Sequence, residues 1–219
     1  MPQLFRPGAN TMVRLAIAAL VGIPVLAVGF GVTLVRSNYA TGVGMDRTQP
    51  VPFSHMHHVG GLGLDCRYCH AGVETSPVAG VPPTETCMTC HSQLWTNARM
   101  LAPVRESLAR GTPIHWAKVN ELPDYVYFDH AIHIAKGVGC TTCHGNVAHM
   151  PLMRKAEPLT MEWCLACHRQ PENHLRPPDE IFSTDWTPPK NQLEEGRRLN
   201  ERFYHIDNKH LTDCSVCHR

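Results

Sequence analysis

A chain of 219 residues with 18 Pro, 16 Gly and only four Trp, five Tyr and six Phe is turn-rich and poor in the large side chains that build a core, which argues for few long regular elements. Its formal net charge of +1 leaves no basic footprint for nucleic acid. The unusual residues are ten Cys and fifteen His.

The chain opens with an apolar run. Leu15 to Val35 is 21 residues without a charge, and about 20 residues in a helix cross a bilayer core. Pro24 lies inside the run, a position that membrane helices tolerate. A cleaved signal peptide would need an apolar stretch of only about 7–15 residues and a small-x-small cleavage site; this run is longer and no convincing site follows. Residues 1–36 are therefore expected to be an uncleaved membrane anchor, with 37–52 as a Gly-, Thr- and Pro-bearing linker. Arg6 and Arg14 before the run and Arg36 after it do not decide its orientation.

Everything beyond the linker is organised by C-x-x-C-H, which occurs five times: Cys66-Cys69-His70, Cys87-Cys90-His91, Cys140-Cys143-His144, Cys164-Cys167-His168 and Cys214-Cys217-His218. This is the c-type haem attachment pattern. Two thiols add to the vinyl groups of one haem, and the adjacent His becomes the proximal iron ligand. A structural zinc site would draw four ligands from two knuckles, which does not explain a His directly after every pair. All ten Cys are used, so none remains for a disulfide. Five covalent haems are expected to replace the missing core, and because attachment takes place outside the bacterial cytoplasm, the chain from Ser37 onward is expected on the periplasmic side.

Two passages upstream of these motifs repeat. Phe53-Ser54-His55-Met56-His57-His58 and Phe128-Asp129-His130-Ala131-Ile132-His133 both read F-x-H-x-x-H. Steps between the first Cys of successive motifs are 21, 53, 24 and 50 residues, so short and long alternate. That pattern predicts di-haem modules at 53–110 and 111–175, followed by an arm and a fifth haem at 176–219. Electron-carrying haems close the sixth iron position with His or Met. Residues i and i+3 share a helix face, so His55, His58, His130 and His133 are the expected distal ligands. A third passage, Phe203-Tyr204-His205, looks half-degenerate because position 208 is Asn. The fifth distal ligand is left between His205 and Met150, with His149, His174 and His210 in competition; His57 and His115 are the other His without an assigned place.

Between the modules, Ser92 to Arg110 has helical periodicity interrupted by Pro103, with Leu94, Met100, Leu101, Val104 and Leu108 on one face. Trp116, Leu122, Tyr125, Val126, Tyr127 and Phe128 form an extended aromatic passage, expected to pack on a haem face or on its neighbours. Arg169 to Pro189 carries five prolines and is expected to be an extended arm. Gln192 to Phe203 reads as a short charged helix.

Taken together, VPFSHMHHVGGLGLDCRYCH, LPDYVYFDHAIHIAKGVGCTTCHGNV, MEWCLACHR and LTDCSVCHR, with the N-terminal run, resemble the membrane-anchored pentahaem cytochrome c subunit of bacterial alternative complex III. The modules are similar to the cytochrome c3/c7 class, in which F-x-H-x-x-H supplies distal ligands to two haems. The resemblance implies a mainly α and irregular, haem-cored multihaem cytochrome c with one transmembrane helix in the bacterial inner membrane. It also implies an electron-transfer subunit, not an enzyme on its own, in a complex that oxidises quinol. The partners implied are an iron–sulfur protein related to molybdopterin enzymes, polytopic quinol-binding subunits and a mono-haem cytochrome c, with a soluble acceptor or a terminal oxidase downstream. An autonomous anchored quinol dehydrogenase is the alternative. It would need an acid or base near a quinol; Asp46 and Asp65 lie near the first haem motif in sequence and read better as solvated carboxylates. A nitrite or sulfite reductase is disfavoured, because all five motifs end in His.

Overall fold

The structure, a computed structural model, describes residue 6 and residues 8–218, and the chain divides after Val43 into two units. The first is dominated by one helix, Ala9–Arg36, with Pro24 inside it. Its 28 residues have a mean hydropathy of 2.5 over the most apolar window and none is buried. At 1.5 Å per residue the helix is about 42 Å long, more than the roughly 30 Å of a hydrocarbon core. It begins six residues before the uncharged run and ends on Arg36.

The second unit has no sheet among the described residues; isolated antiparallel bridges join Asp46 to Arg154 and Val138 to Leu175. Its helices are short, as the Pro and Gly content requires. Each C-x-x-C-H lies on its own: Cys66–Cys69, Thr84–His91, Cys140–His144, Met161–Arg169 and Cys214–Cys217. On one helical turn the two Cys are i and i+3 and therefore share a face. Asp65 accepts from the Arg67 N–H and Thr160 from the Trp163 N–H, which caps two of these turns. Asp65 is also paired with the Arg67 guanidinium at 2.8 Å, which holds its carboxyl below the usual range.

Two small apolar clusters hold the rest. Val51, Leu101 and Val104 gather Trp116 and Met88 around them. Val138, Leu175, Leu199 and Tyr204 form the other. Three expectations change here. Pro103 does not interrupt a helix but opens one, Ala102–Arg110, because the first turn has no use for its missing N–H. Leu101 and Val104 are buried on the expected face, whereas Leu94, Met100 and Leu108 are exposed. Second, the segment 169–189 is not a free arm. It folds into 3-10 turns at Pro171–Asn173 and Pro178–Glu180, and Leu175 is the one fully buried large side chain among the described residues. Prolines deny it regular hydrogen bonding but do not prevent packing.

The third change concerns Phe203-Tyr204-His205. Helix Gln192–Leu199 runs as expected into a π-helical turn, Asn200–Tyr204. Tyr204 then turns inward, donates to the Arg176 carbonyl at 2.5 Å and lays its ring over Gly137. A Cβ there would fall 2.3 Å from that ring, and φ is +81°, so only Gly fits. His205 is left exposed on a left-handed backbone with φ of 48°. Asn208 donates to Glu172 at 3.0 Å. The passage is a core anchor, not a third copy of the repeat.

Candidate functional site

The two true copies of F-x-H-x-x-H superpose in chemistry. In the first, the Phe53 ring meets His55 edge-on at 4.9 Å and 87° and stacks on His58 at 4.4 Å and 21°. In the second, Phe128 meets His130 at 4.8 Å and 88° and stacks on His133 at 4.4 Å and 27°. One Phe thus sets the directions of two imidazoles. The second His of each copy is locked by its own turn: His58 Nδ1–H donates to Ser54 O at 2.8 Å and His133 Nδ1–H to Asp129 O at 2.6 Å. This Phe role was not legible from the pattern alone, although its recurrence at the same offset was the available signal.

Each of the four repeat His faces the His of a C-x-x-C-H motif. Ring centroids are 6.5 Å apart for His55 and His70, 6.2 Å for His58 and His91, 6.3 Å for His130 and His144, and 6.2 Å for His133 and His168. A metal–imidazole bond is about 2.0 Å, and a ring nitrogen lies about 1.1 Å from its centroid, so two imidazoles on opposite sides of one iron have centroids about 6 Å apart. The four observed separations fit a haem iron between each pair. Two imidazoles alone do not make a protein-only metal cage. Among the described residues no three His, Cys, Asp or Glu converge as one; a porphyrin, which brings four nitrogens of its own, needs only two.

The orientation of the motif His agrees. His70, His91, His168 and His218 donate from Nδ1 to the carbonyls of Gly80 at 2.6 Å, Leu94 at 3.1 Å, Leu211 at 2.8 Å and Tyr125 at 3.1 Å. His130 donates from Nδ1 to Pro77 O at 2.8 Å. With the proton fixed on Nδ1, the Nε2 lone pair is free for a metal. Asn120 orients His144 from the same side, its amide Nδ2 lying 2.9 Å from Nδ1; nothing in the sequence marked it. His55 Nδ1 alone is buried without a partner. At three of these rings burial favours the neutral form that ligation requires. It is the main cause that holds His144 down to about 4, with His130, His70 and His55 adding repulsion. His55 is held at about 4 by burial and then by His70 and His58, and burial also lowers His133. The ten Cys are free thiols, available for thioether bonds.

The fifth motif differs. No imidazole is brought to His218 among the described residues; its ring stacks on Tyr125 at 5.8 Å and 29°. The aromatic passage before His130 clamps this motif, since Tyr127 N–H also donates to Cys217 O at 2.8 Å. Neither expected fifth ligand is placed here. His205 lies exposed in the turn described above. Met150 is buried and packs beside Gly145, next to His144, while its carbonyl accepts from Met56 N–H at 3.0 Å. Of the other His, His57 stacks on Trp95 at 5.5 Å, His210 pairs with Asp213 at 3.0 Å, His115 and His149 are exposed, and His174 is half-buried.

Two comparisons bear on this geometry. The family described as cytochrome c7 and related cytochrome c matches residues 126–219. The chain is also 30% identical over 152 residues to the menaquinone reductase, multiheme cytochrome c subunit, of Nitratidesulfovibrio vulgaris (strain Hildenborough), a match covering 59% of this chain and 71% of that protein. With covalently bound c-type haem as the shared cofactor, this chain belongs to the multihaem cytochromes c related to cytochrome c7.

Proposed function

We propose that this protein is the electron-relaying subunit of a membrane quinone-linked oxidoreductase, carrying five c-type haems, one on each C-x-x-C-H motif. The observation that carries the reading is the set of four facing imidazole pairs. Bound haem supplies a one-electron iron couple whose potential depends on axial ligands, hydrogen bonds and burial. The protein's own residues do the rest. His55 with His70, His58 with His91, His130 with His144 and His133 with His168 would each hold one haem iron, and two imidazoles on an iron would exclude substrate from it. Nδ1 hydrogen bonds fix the rings, and Phe53 and Phe128 hold them in pairs. The role of a relay, rather than of a catalyst, follows from closed positions.

Helix Ala9–Arg36 is read as the anchor, with the haem unit on the extracytoplasmic side, where c-type haem is attached. The resemblance to the alternative complex III subunit points to quinol oxidation, with the iron–sulfur, polytopic and mono-haem subunits as partners. A second reading reverses the direction of flow. The relative from Nitratidesulfovibrio vulgaris is named for a menaquinone reductase, so electrons would run toward quinone. The same wire serves either.

The test is mass spectrometry of the mature polypeptide together with electron paramagnetic resonance of the oxidised protein. Five haem additions and low-spin bis-imidazole signals for four of them are expected. Fewer than five additions, or no bis-imidazole signal, would end this reading. Quinol oxidation by the purified chain alone would replace it with the autonomous dehydrogenase.

A further inference from the structure

The order of the motifs in space is not their order in the chain. Resting on the reading above that each motif holds one haem, we infer that the haems are strung in the sequence 2–1–3–4–5, with motif 1 joining motif 2 to motif 3 and with motifs 2 and 5 as the two ends of the wire.

Motifs 1 and 2 are joined from within. Tyr68 and Thr89, each the second residue between the two cysteines of its motif, share a hydrogen bond at 2.9 Å. Phe53 touches both His55 and His58, the partners of His70 and His91. Motifs 1 and 3 meet more closely still. The Cys66 and Cys140 side chains are neighbours, close enough to interact directly. A haem is tethered through its vinyl-derived edge, so two tethers in contact bring two porphyrin edges together. The surroundings of this junction are built for it. His130, which faces His144 of motif 3, is held by Pro77 O from the loop after motif 1. The π-helical turn Met56–Gly61 lies against Val147–His149, close enough that a Cβ on Gly60 would fall 2.4 Å from Ala148 O.

Motifs 3 and 4 repeat the arrangement of motifs 1 and 2. Phe128 touches both His130 and His133, and Cys143 feels Cys167 and Cys164 as neighbours. Motif 5 then attaches to motif 4. His168 Nδ1–H donates to Leu211 O, three residues before Cys214, and Cys217 lies near Cys164. Two di-haem units that each share one Phe are thus joined through the first haem of each unit, and the wire doubles back on the chain.

Iron positions in the holo-protein, located by anomalous scattering or in a cryo-electron-microscopy map, test this. The expected result is that the four shortest iron–iron separations are 2–1, 1–3, 3–4 and 4–5. Five irons with motif 2 nearest to motif 3, or with motif 1 not adjacent to motif 3, would overturn the order while leaving five haems in place. Fewer than five irons would remove the reading beneath it and the order with it. Electron equilibration after flash reduction gives a second measure. A Cys66→Ala/Cys69→Ala protein should split into an isolated motif-2 haem and a connected remainder. A Cys87→Ala/Cys90→Ala protein should lose only the motif-2 contribution. The same loss in both contradicts a serial wire with motif 1 in its interior.

Discussion

Arg176 makes the sharpest demand on the fold. It is 3% exposed and has no carboxylate within ion-pair distance among the described residues. Its guanidinium donates to Ser183 O at 3.1 Å and to the Thr141 hydroxyl inside motif 3. It also lies over the Trp186 ring at 4.5 Å. Replacement by Leu removes a desolvated charge, a relief of several kcal/mol in general, and Nε already lacks a partner. Against this, Ser183 O and the Thr141 hydroxyl lose a charged donor, at roughly 1–3 kcal/mol for each buried group left unpaired. The stacking on Trp186 adds about 0.5–2 kcal/mol. Because Arg176 bridges the 169–189 segment to motif 3, the hydrogen bonds are expected to dominate, with Arg176→Leu destabilising by about 2–4 kcal/mol. Arg176→Lys keeps the charge but not the planar fork and should fall between the two. Guanidinium titration of the solubilised holo-protein, followed at the Soret band, measures the change. The motif-3 haem should also shift to a lower midpoint potential, since a fixed positive charge that opposes oxidation is gone. An Arg176→Leu protein within about 0.5 kcal/mol of wild type, the range of an ordinary surface substitution, would refute the argument.

Three further outcomes are expected. Leu175→Ala empties the centre of the Val138–Leu199–Tyr204 cluster and should cost about 2–5 kcal/mol in the same titration; a smaller loss would mean that the 169–189 segment is held by its polar contacts alone. His130→Ala should abolish one bis-imidazole signal, whereas His205→Ala should abolish none, because His205 faces no motif His; loss of a signal in the second protein would restore it as a ligand. His174 is held below its ordinary pKa by burial, so the unfolded chain takes up its proton first as pH falls through about 6.5. Stability from this site is complete above that pH and declines below it. His174→Gln should therefore lessen the loss of stability between neutral and mildly acidic pH, and an unchanged pH profile would show that the ring is solvated.

The split between what was legible and what was not follows the range of the interactions. C-x-x-C-H is a single helical turn, so the candidate thioether positions and proximal His needed no tertiary information. The F-x-H-x-x-H repeat is equally local: one Phe, one turn and two imidazoles recur within six residues, and the structure reproduces both copies. Copy three failed because its Phe-Tyr-His string resembles the repeat only in letters; Tyr204 is drawn into the core by Leu175, Val138 and the Arg176 carbonyl, contacts that lie far away in sequence.

From the sequence by itself came the candidate attachment sites, the four candidate distal His and the single apolar helix, each carried by side chains a few residues apart. Only the tertiary structure decided that His55 faces His70 while His58 faces His91, that Asn120 and Pro77 hold the facing rings of His144 and His130, and that the proline-rich segment is packed rather than extended. The physical reason is that a short motif dictates which groups point the same way, whereas long-range packing dictates which group stands opposite.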